Sequence, residues 1–435
     1  MTITKSAHYR FLREEINRIS AISTHDHLMR EEHAVARKVD LFDLVFCSLT
    51  YVDMVSAGLA KAPEDAQFGP ENHPRPRDNA ALWRRCGPFL EHVRETASHQ
   101  IVLRALRELY GFDEEEITES NYRGLNEKVI AAQKPGRFWE VMHEREGLKA
   151  CLLDREWTWE ETPQADRFYT CNISRVLEHT NLPFEFRRKG GVGGAAIETL
   201  DQAIAAWQAH FEKIRKQGVI GLKFGHAYYR TLEFDDVPRA VAEKDFPRPD
   251  HKGMAAKTVQ DFMINIVMHD AGEAGLPVAF HTGYQYGNGN VITNARAQLM
   301  CSLIWRHPKT KFDVFHVSYP YCEEAMMLAK YFPNAYFDFC FADSLSPSKI
   351  VELLHIGLEL LPSNKMFGWG ADVATVEMHH GSACVTRDCI ARALAERVEL
   401  GDLTRKRAVR LMQKLMHDNP NEVYRVDDWR AAHRA

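Results

Sequence analysis

Nine cysteines are spread through the 435 residues, but none forms a CxxC pair and their number is odd. This excludes a zinc ribbon and argues against a disulfide framework, so reduced thiols in a cytoplasmic protein are expected. No apolar run approaches the roughly 18 residues needed to span a bilayer, so no membrane partner is expected. The opening stretch, MTITKSAHYRFLREEINRIS, has no long apolar core and reads as an amphipathic helix rather than a signal peptide. Basic charge is not in excess: 55 Lys and Arg stand against 60 Asp and Glu, for a net charge of -5. A nucleic-acid binder would need the opposite balance. No GxGxxG follows the first strand, which removes the main support for a doubly wound nucleotide-binding sheet.

The residues that are present include 45% hydrophobic, enough for a sizeable core. After a short apolar stretch at 21–25, residues 31–145 carry apolar positions at helical spacing, interrupted by the proline-rich KAPEDAQFGPENHPRPRDNA. From about residue 147, short apolar runs alternate with amphipathic helices such as LDQAIAAWQAHFEKIRKQ. The runs lie at 148–153, 172–177, 219–224, 276–281, 311–316, 335–340 and 365–370. With 21–25 they make eight. Strands alternating with helices imply parallel βαβ units, and eight of them predict an α/β fold of the closed (β/α)₈ TIM-barrel type. The expected organisation is residues 1–30 as N-terminal helix and first barrel strand, 31–145 as a helical insertion or cap, and 146–435 as the rest of the barrel.

In such a barrel the chemistry gathers where the strands end. The stretch AISTHDHLMR places His25 and His27 two apart on a strand, where they share one face. Lys223, His281 and His316 finish later strands, and Asp372 follows the last one in FGWGADVATVE. Each has an ordinary structural explanation, but five strand ends of this kind together form one coherent set. YGNGN (286–290) lacks the lysine and hydroxyl residue of a phosphate loop and reads as a flexible loop at the barrel mouth. His379 and His380, in MHHGS, read as helix-start or solvent positions.

These pieces resemble the amidohydrolase superfamily, in the branch related to decarboxylases, lactonases and uronate isomerases. The motifs are THDH, VAFHTGYQYG, FDVFHVSYPYCEEAMMLAKYFPNAYFDFCF, FGWGAD and MHDNPNEVYRV. LRELYGFDEEEITESNYRGLNEKVI also looks like the helical insert of uronate isomerases. The resemblance implies metal ligation by His25, His27, His281 and Asp372. It further implies catalytic roles for Asp372 and His316, and a second-metal or substrate role for Lys223 and His316. One metal, with Lys223 contacting an anionic group of the substrate, is the expected arrangement. A homo-oligomer is expected on the same ground.

Neutral imidazoles and a carboxylate suit a divalent ion, Zn²⁺ or alternatively Mn²⁺. The expected activity is hydrolysis of a C–N or C–O bond, of the amide or lactone type, in a small carboxylate-bearing substrate. The alternatives are a uronate isomerase-like isomerase or a non-oxidative decarboxylase using the same metal, and a non-catalytic ligand-binding barrel. Arg155, Arg175, His226, Tyr228 and Arg230 are candidate substrate-binding residues because cations cluster near one barrel mouth. Trp369 and Tyr284 are candidates to stack on a ring. Arg155 and Arg230 each have a plainer reading as partners of neighbouring acids.

Overall fold

The computed structural model describes residues 3–62, 65, 78–155, 170–175, 197–246 and 254–433. Eight parallel strands follow one another in chain order: β1 (Ala21–Asp26), β2 (Leu148–Arg155), β3 (Thr170–Arg175), β4 (Gly221–Phe224), β5 (Val278–Phe280), β6 (Phe312–Val314), β7 (Ala335–Asp338) and β8 (Met366–Phe367). The sheet closes on itself just beyond β8. There the Thr24 N–H donates to the Trp369 carbonyl at 3.1 Å and the Asp372 N–H donates to the His25 carbonyl at 2.9 Å. Each of the eight expected apolar runs contains a strand; positions 176 and 177 of the third lie outside the described residues.

Period-two alternation decides what each strand offers to either side. In β4 the Lys223 side chain joins the barrel interior, while Phe224 stacks on Phe280 of β5 with ring centroids 4.8 Å apart. Burying such a ring contributes roughly 1.5–3 kcal/mol. The helices between strands carry local start signals that the sequence alone supplies. Thr199 and Gln202 form a capping box at the start of Leu200–Lys216. Ser346 caps Pro347–Leu360, which has proline in its first turn.

Two features place the site. The chain between β1 and β2 is largely helical, with segments that include Leu41–Phe46, Leu49–Ser56, Asn79–Val93 and Ala97–Tyr110. The first two of these reach over the ends of the strands and line the cavity there. At the opposite end, Tyr424 packs with Ile22, Ala150, Leu152, Ile220 and Phe367. Trp429 donates from its indole to the Gly218 carbonyl at 2.6 Å. The C-terminal helices Asn419–Tyr424 and Val426–His433 therefore cover the bottom of the barrel, opposite the cavity. Among the described residues, no helix is long and apolar enough to cross a membrane.

Candidate active site and metal centre

The end of β1 sets the site. A register shift between Ser23 and Asp26 puts an extra residue into β1 opposite β2, a bulge of the kind that re-aims side chains. His25 and His27 both reach Asp372: their Nε2 atoms lie 3.5 and 3.2 Å from its Oδ1. His25, His27 and Asp372 each present one donor atom within 4.8 Å of the others, the spacing that one divalent ion needs. Asp372 adopts φ 54° and His316 φ 64°, left-handed conformations that non-glycine residues adopt only when their surroundings hold them.

Electrostatics favours the deprotonated forms of His25 and Asp372. Burial and then the neighbouring Lys223 pull His25 well below the usual histidine range. Burial would raise the Asp372 carboxyl, but His25, His27 and His316 together hold it well below the carboxylate range. Neutral imidazole lone pairs and an ionised carboxylate are the forms that bind metal. The donor set therefore fits a divalent cation.

The remaining candidates fall into two groups. Lys223, buried on β4, places Nζ 3.0 Å from His25 Nε2 and 4.6 Å from the Phe315 ring centre. His316 stands 3.7 Å from the other oxygen of Asp372, and burial brings it down to about 4. His281 lines the cavity, but both its nitrogens are engaged: Nε2 lies 2.8 Å from the Tyr284 carbonyl and Nδ1 lies 3.0 Å from His316 Nε2. With both nitrogens so placed, it stands outside the close donor group of His25, His27 and Asp372. Tyr228 lines the cavity and its hydroxyl accepts from the Tyr286 N–H at 3.0 Å.

Arg230, His226 and Trp369 do not line the cavity. Arg230 pairs with Asp261 at 2.7 Å and donates to Gln260 at 3.0 Å. The plainer reading as an acid's partner fits it, though with a different acid from the expected neighbours. His226 is fully buried against Phe224. Trp369 is buried as well, and its indole donates to Ser382 Oγ at 2.9 Å, away from any substrate. The side chains of Arg155 and Arg175 lie outside the described residues. His379 and His380 do sit in the first turns of helix Val376–Glu399, but both are buried rather than in solvent.

Three contributors escaped the sequence reading. Asp154, near the end of β2, lines the cavity and lies 3.8 Å from His25 Nε2. Its position at a strand end was the available signal, obscured by the adjacent arginine. Cys340 joins His316 and Asp372 in a second group of close donors, although burial pushes its thiol well above the usual range and so favours the protonated form. The third is the aromatic wall from the helical stretch. The cavity, about 770 Å³, is lined by Phe46, Leu49, Tyr51 and Val52 as well as by Tyr286 and Phe341. Tyr51 is fixed by donating to Asp65 at 2.7 Å, and Arg85 pairs with the same carboxylate.

Comparison with known proteins agrees at the level of architecture. A uronate isomerase of Thermotoga maritima superposes with a TM-score of 0.77, at 16% identity over 96% of this chain and 97% of that one. A glucuronate isomerase of Caulobacter crescentus gives 0.77, at 18% identity over 97% and 95%. A candidate metal-dependent hydrolase of Lactobacillus casei gives 0.67, at 18% identity over 98% and 99%. The chain has their barrel fold. At such low identity the likeness extends to the fold and no further. Among curated proteins, Protein fluG of Emericella nidulans is 29% identical over 154 residues, 35% of this chain. The match covers only 18% of that relative's own length. No protein-family model matches the chain.

Proposed function

We propose that this protein is a metal-dependent hydrolase that cleaves an amide- or lactone-type bond in a small substrate with a carboxylate on an apolar or aromatic body. The observation that carries this reading is the convergence of His25, His27 and Asp372 on one point beside a cavity of about 770 Å³ that His27, Asp372 and Lys223 line. His25, His27 and Asp372 would hold a divalent cation, Zn²⁺ or Mn²⁺, which would supply Lewis acidity and make hydroxide available near neutral pH. His281, whose nitrogens face the Tyr284 carbonyl and His316, serves as the orienting residue of the set and as a further ligand only if its ring turns.

The chain's own groups divide the remaining work. Asp372 accepts the proton of the attacking water and returns it to the leaving group. His316, neutral and 3.7 Å from Asp372, donates to the oxyanion that develops on the substrate carbonyl once that oxygen replaces His281 Nδ1 as the partner of its N–H. Lys223 binds the substrate carboxylate as a point charge. Tyr228, Tyr51 and Phe46 enclose the apolar body and exclude water.

The apolar part of the wall, Phe46, Leu49, Val52 and Phe341, supports this reading over isomerisation of a sugar acid, which the same ligands and the polar lining residues Ser48, Lys61, Asp65 and Asn288 could also serve. Any hydroxyl of a polyhydroxylated substrate that faced Phe46, Leu49, Val52 or Phe341 would go unpaired, at a cost. The test is a panel of aromatic lactones, carboxylate-bearing amides and uronates, assayed before and after chelation and after restoring Zn²⁺ or Mn²⁺. Metal-dependent hydrolysis of a lactone or amide is the expected result. Turnover of uronates alone would replace the hydrolase reading with an isomerase.

A further inference from the structure

Asp26 stands between His25 and His27, but its buried side chain leaves β1 on the side away from the cavity. Its Oδ2 accepts from Ser23 Oγ at 2.6 Å and lies 3.4 Å from His379 Nε2. Ser23 Oγ also accepts from the Ala371 N–H at 3.1 Å, one residue before Asp372. On its other side, His379 places Nδ1 2.9 Å from Glu146 Oε2. The second Glu146 oxygen lies 3.3 Å from His380 Nδ1, and Arg387 donates to the Glu146 carbonyl at 2.6 Å. All six of these side chains are buried.

Burying so many charges is costly, and well-packed apolar residues of the same volume would usually stabilise a fold at least as well. The placement of this network suggests what it does instead. Its inner end touches the residue between two of the converging donors and the backbone beside the third. Both places depart from regular backbone, one through the bulge between Ser23 and Asp26 and the other through the left-handed Asp372. Such conformations persist only where the surroundings over-determine them. The charges are matched: burial opposes the His379 imidazolium, but Glu146 and Asp26 raise it to about 10. Burial would likewise raise Glu146, but His379 and His380 bring it down to about 2.

We propose that Asp26 and His379 are positioning residues for the metal centre, holding the ends of β1 and β8, through Ser23 and Ala371, at the spacing where His25, His27 and Asp372 converge on one cation. This rests on the reading of those three residues as metal ligands. It assigns Asp26 and His379 no contact with substrate or metal. Through Glu146, it also ties the chain just before β2 to the geometry of the ligands.

The experiment is chelator competition for Zn²⁺ on the folded full-length protein, comparing wild type with Asp26→Asn and His379→Gln. Thermal melts establish the temperature at which each variant is intact. Zn²⁺ affinity is expected to fall roughly 10- to 100-fold in both variants, as when groups that orient metal ligands are removed. A purely structural role would lower the melting temperature but leave the affinity of the folded protein at the wild-type value. That result overturns the proposal. If Asp26→Asn does not fold, Ser23→Ala removes the hydroxyl that joins Asp26 to the Ala371 backbone: a weakened affinity supports the proposal and an unchanged one overturns it. A wild-type protein that binds neither Zn²⁺ nor Mn²⁺ would overturn the ligand reading itself, before any variant is compared.

Discussion

Oδ1 of Asp372 stands 3.2 Å from Nε2 of His27, although one residue follows the first strand of the barrel and the other the last. The contact exists because the sheet closes between β8 and β1. Asp372→Asn keeps the shape and removes the charge, so bound metal and activity should be lost together. Elemental analysis should show metal content falling well below that of wild type, with kcat down by roughly 10²- to 10⁴-fold. A variant that kept its full metal content would remove Asp372 from the ligand set.

His316 touches Asp372 from the other side but already bonds within the cavity wall. His316→Asn should therefore retain about one equivalent of metal while kcat drops by roughly 10²- to 10³-fold. If the substitution instead releases half of two equivalents, His316 and its neighbour Cys340 belong to a second metal site.

Lys223 is the cation at the cavity that this reading assigns to the substrate carboxylate. Lys223→Met should raise KM for an anionic substrate by roughly 10- to 100-fold, the worth of a charge-assisted hydrogen bond. KM for the corresponding uncharged ester should change little. Equal losses on both substrates would place Lys223 in the chemistry rather than in recognition.

Gly283 follows His281 at φ +69°, and a Cβ there would come within 2.3 Å of the Ser318 backbone carbon. No side chain can relax that clash, so the loop after β6 that begins at His316 would have to move. Gly283→Ala should cost about 3 kcal/mol or more in a denaturant melt, with activity falling further than stability alone explains. A variant with wild-type melting behaviour would show that the two loops move apart freely.

Buried histidines should give the pH profile of stability both an acid and an alkaline component. Burial holds His99 and His210 at about 4 in the folded state, so the unfolded chain binds more protons as pH falls below 6.5, and stability drops between 6.5 and 4. His379 and His380 act in the opposite sense. Their buried partner Glu146 helps raise them to about 10 and 9, so their contribution is complete below 6.5 and is lost as pH climbs through those values. Melts from pH 4 to 10 should give two limbs. His99→Leu should flatten the acid limb by on the order of 3 kcal/mol at most. An unchanged acid limb would mean that His99 keeps its ordinary affinity for protons.

The barrel was legible because its information is local. Apolar runs of three to six residues, turn signals and capped helices recur in order along the chain, and each reports its own element. His25, His27, Lys223, His316 and Asp372 were legible for the same reason, since strand-end positions are countable once the strands are. Arg230, His226 and Trp369 were not: whether a polar side chain after a strand faces the mouth or a neighbouring helix depends on packing partners far away in sequence. Arg230 found Asp261, and Trp369 found Ser382.

The sequence by itself determined the order of strands and helices and the residue types that finish each strand, because periodicity and capping act within a few residues. Only the tertiary structure decided the rest. Barrel closure brought Asp372 to His25 and His27, the helices after β1 supplied the aromatic wall, and His379 was folded under β1 against Asp26. These relationships join residues remote in sequence, and they are set by how the layers pack and where buried charges find partners, which no local pattern encodes.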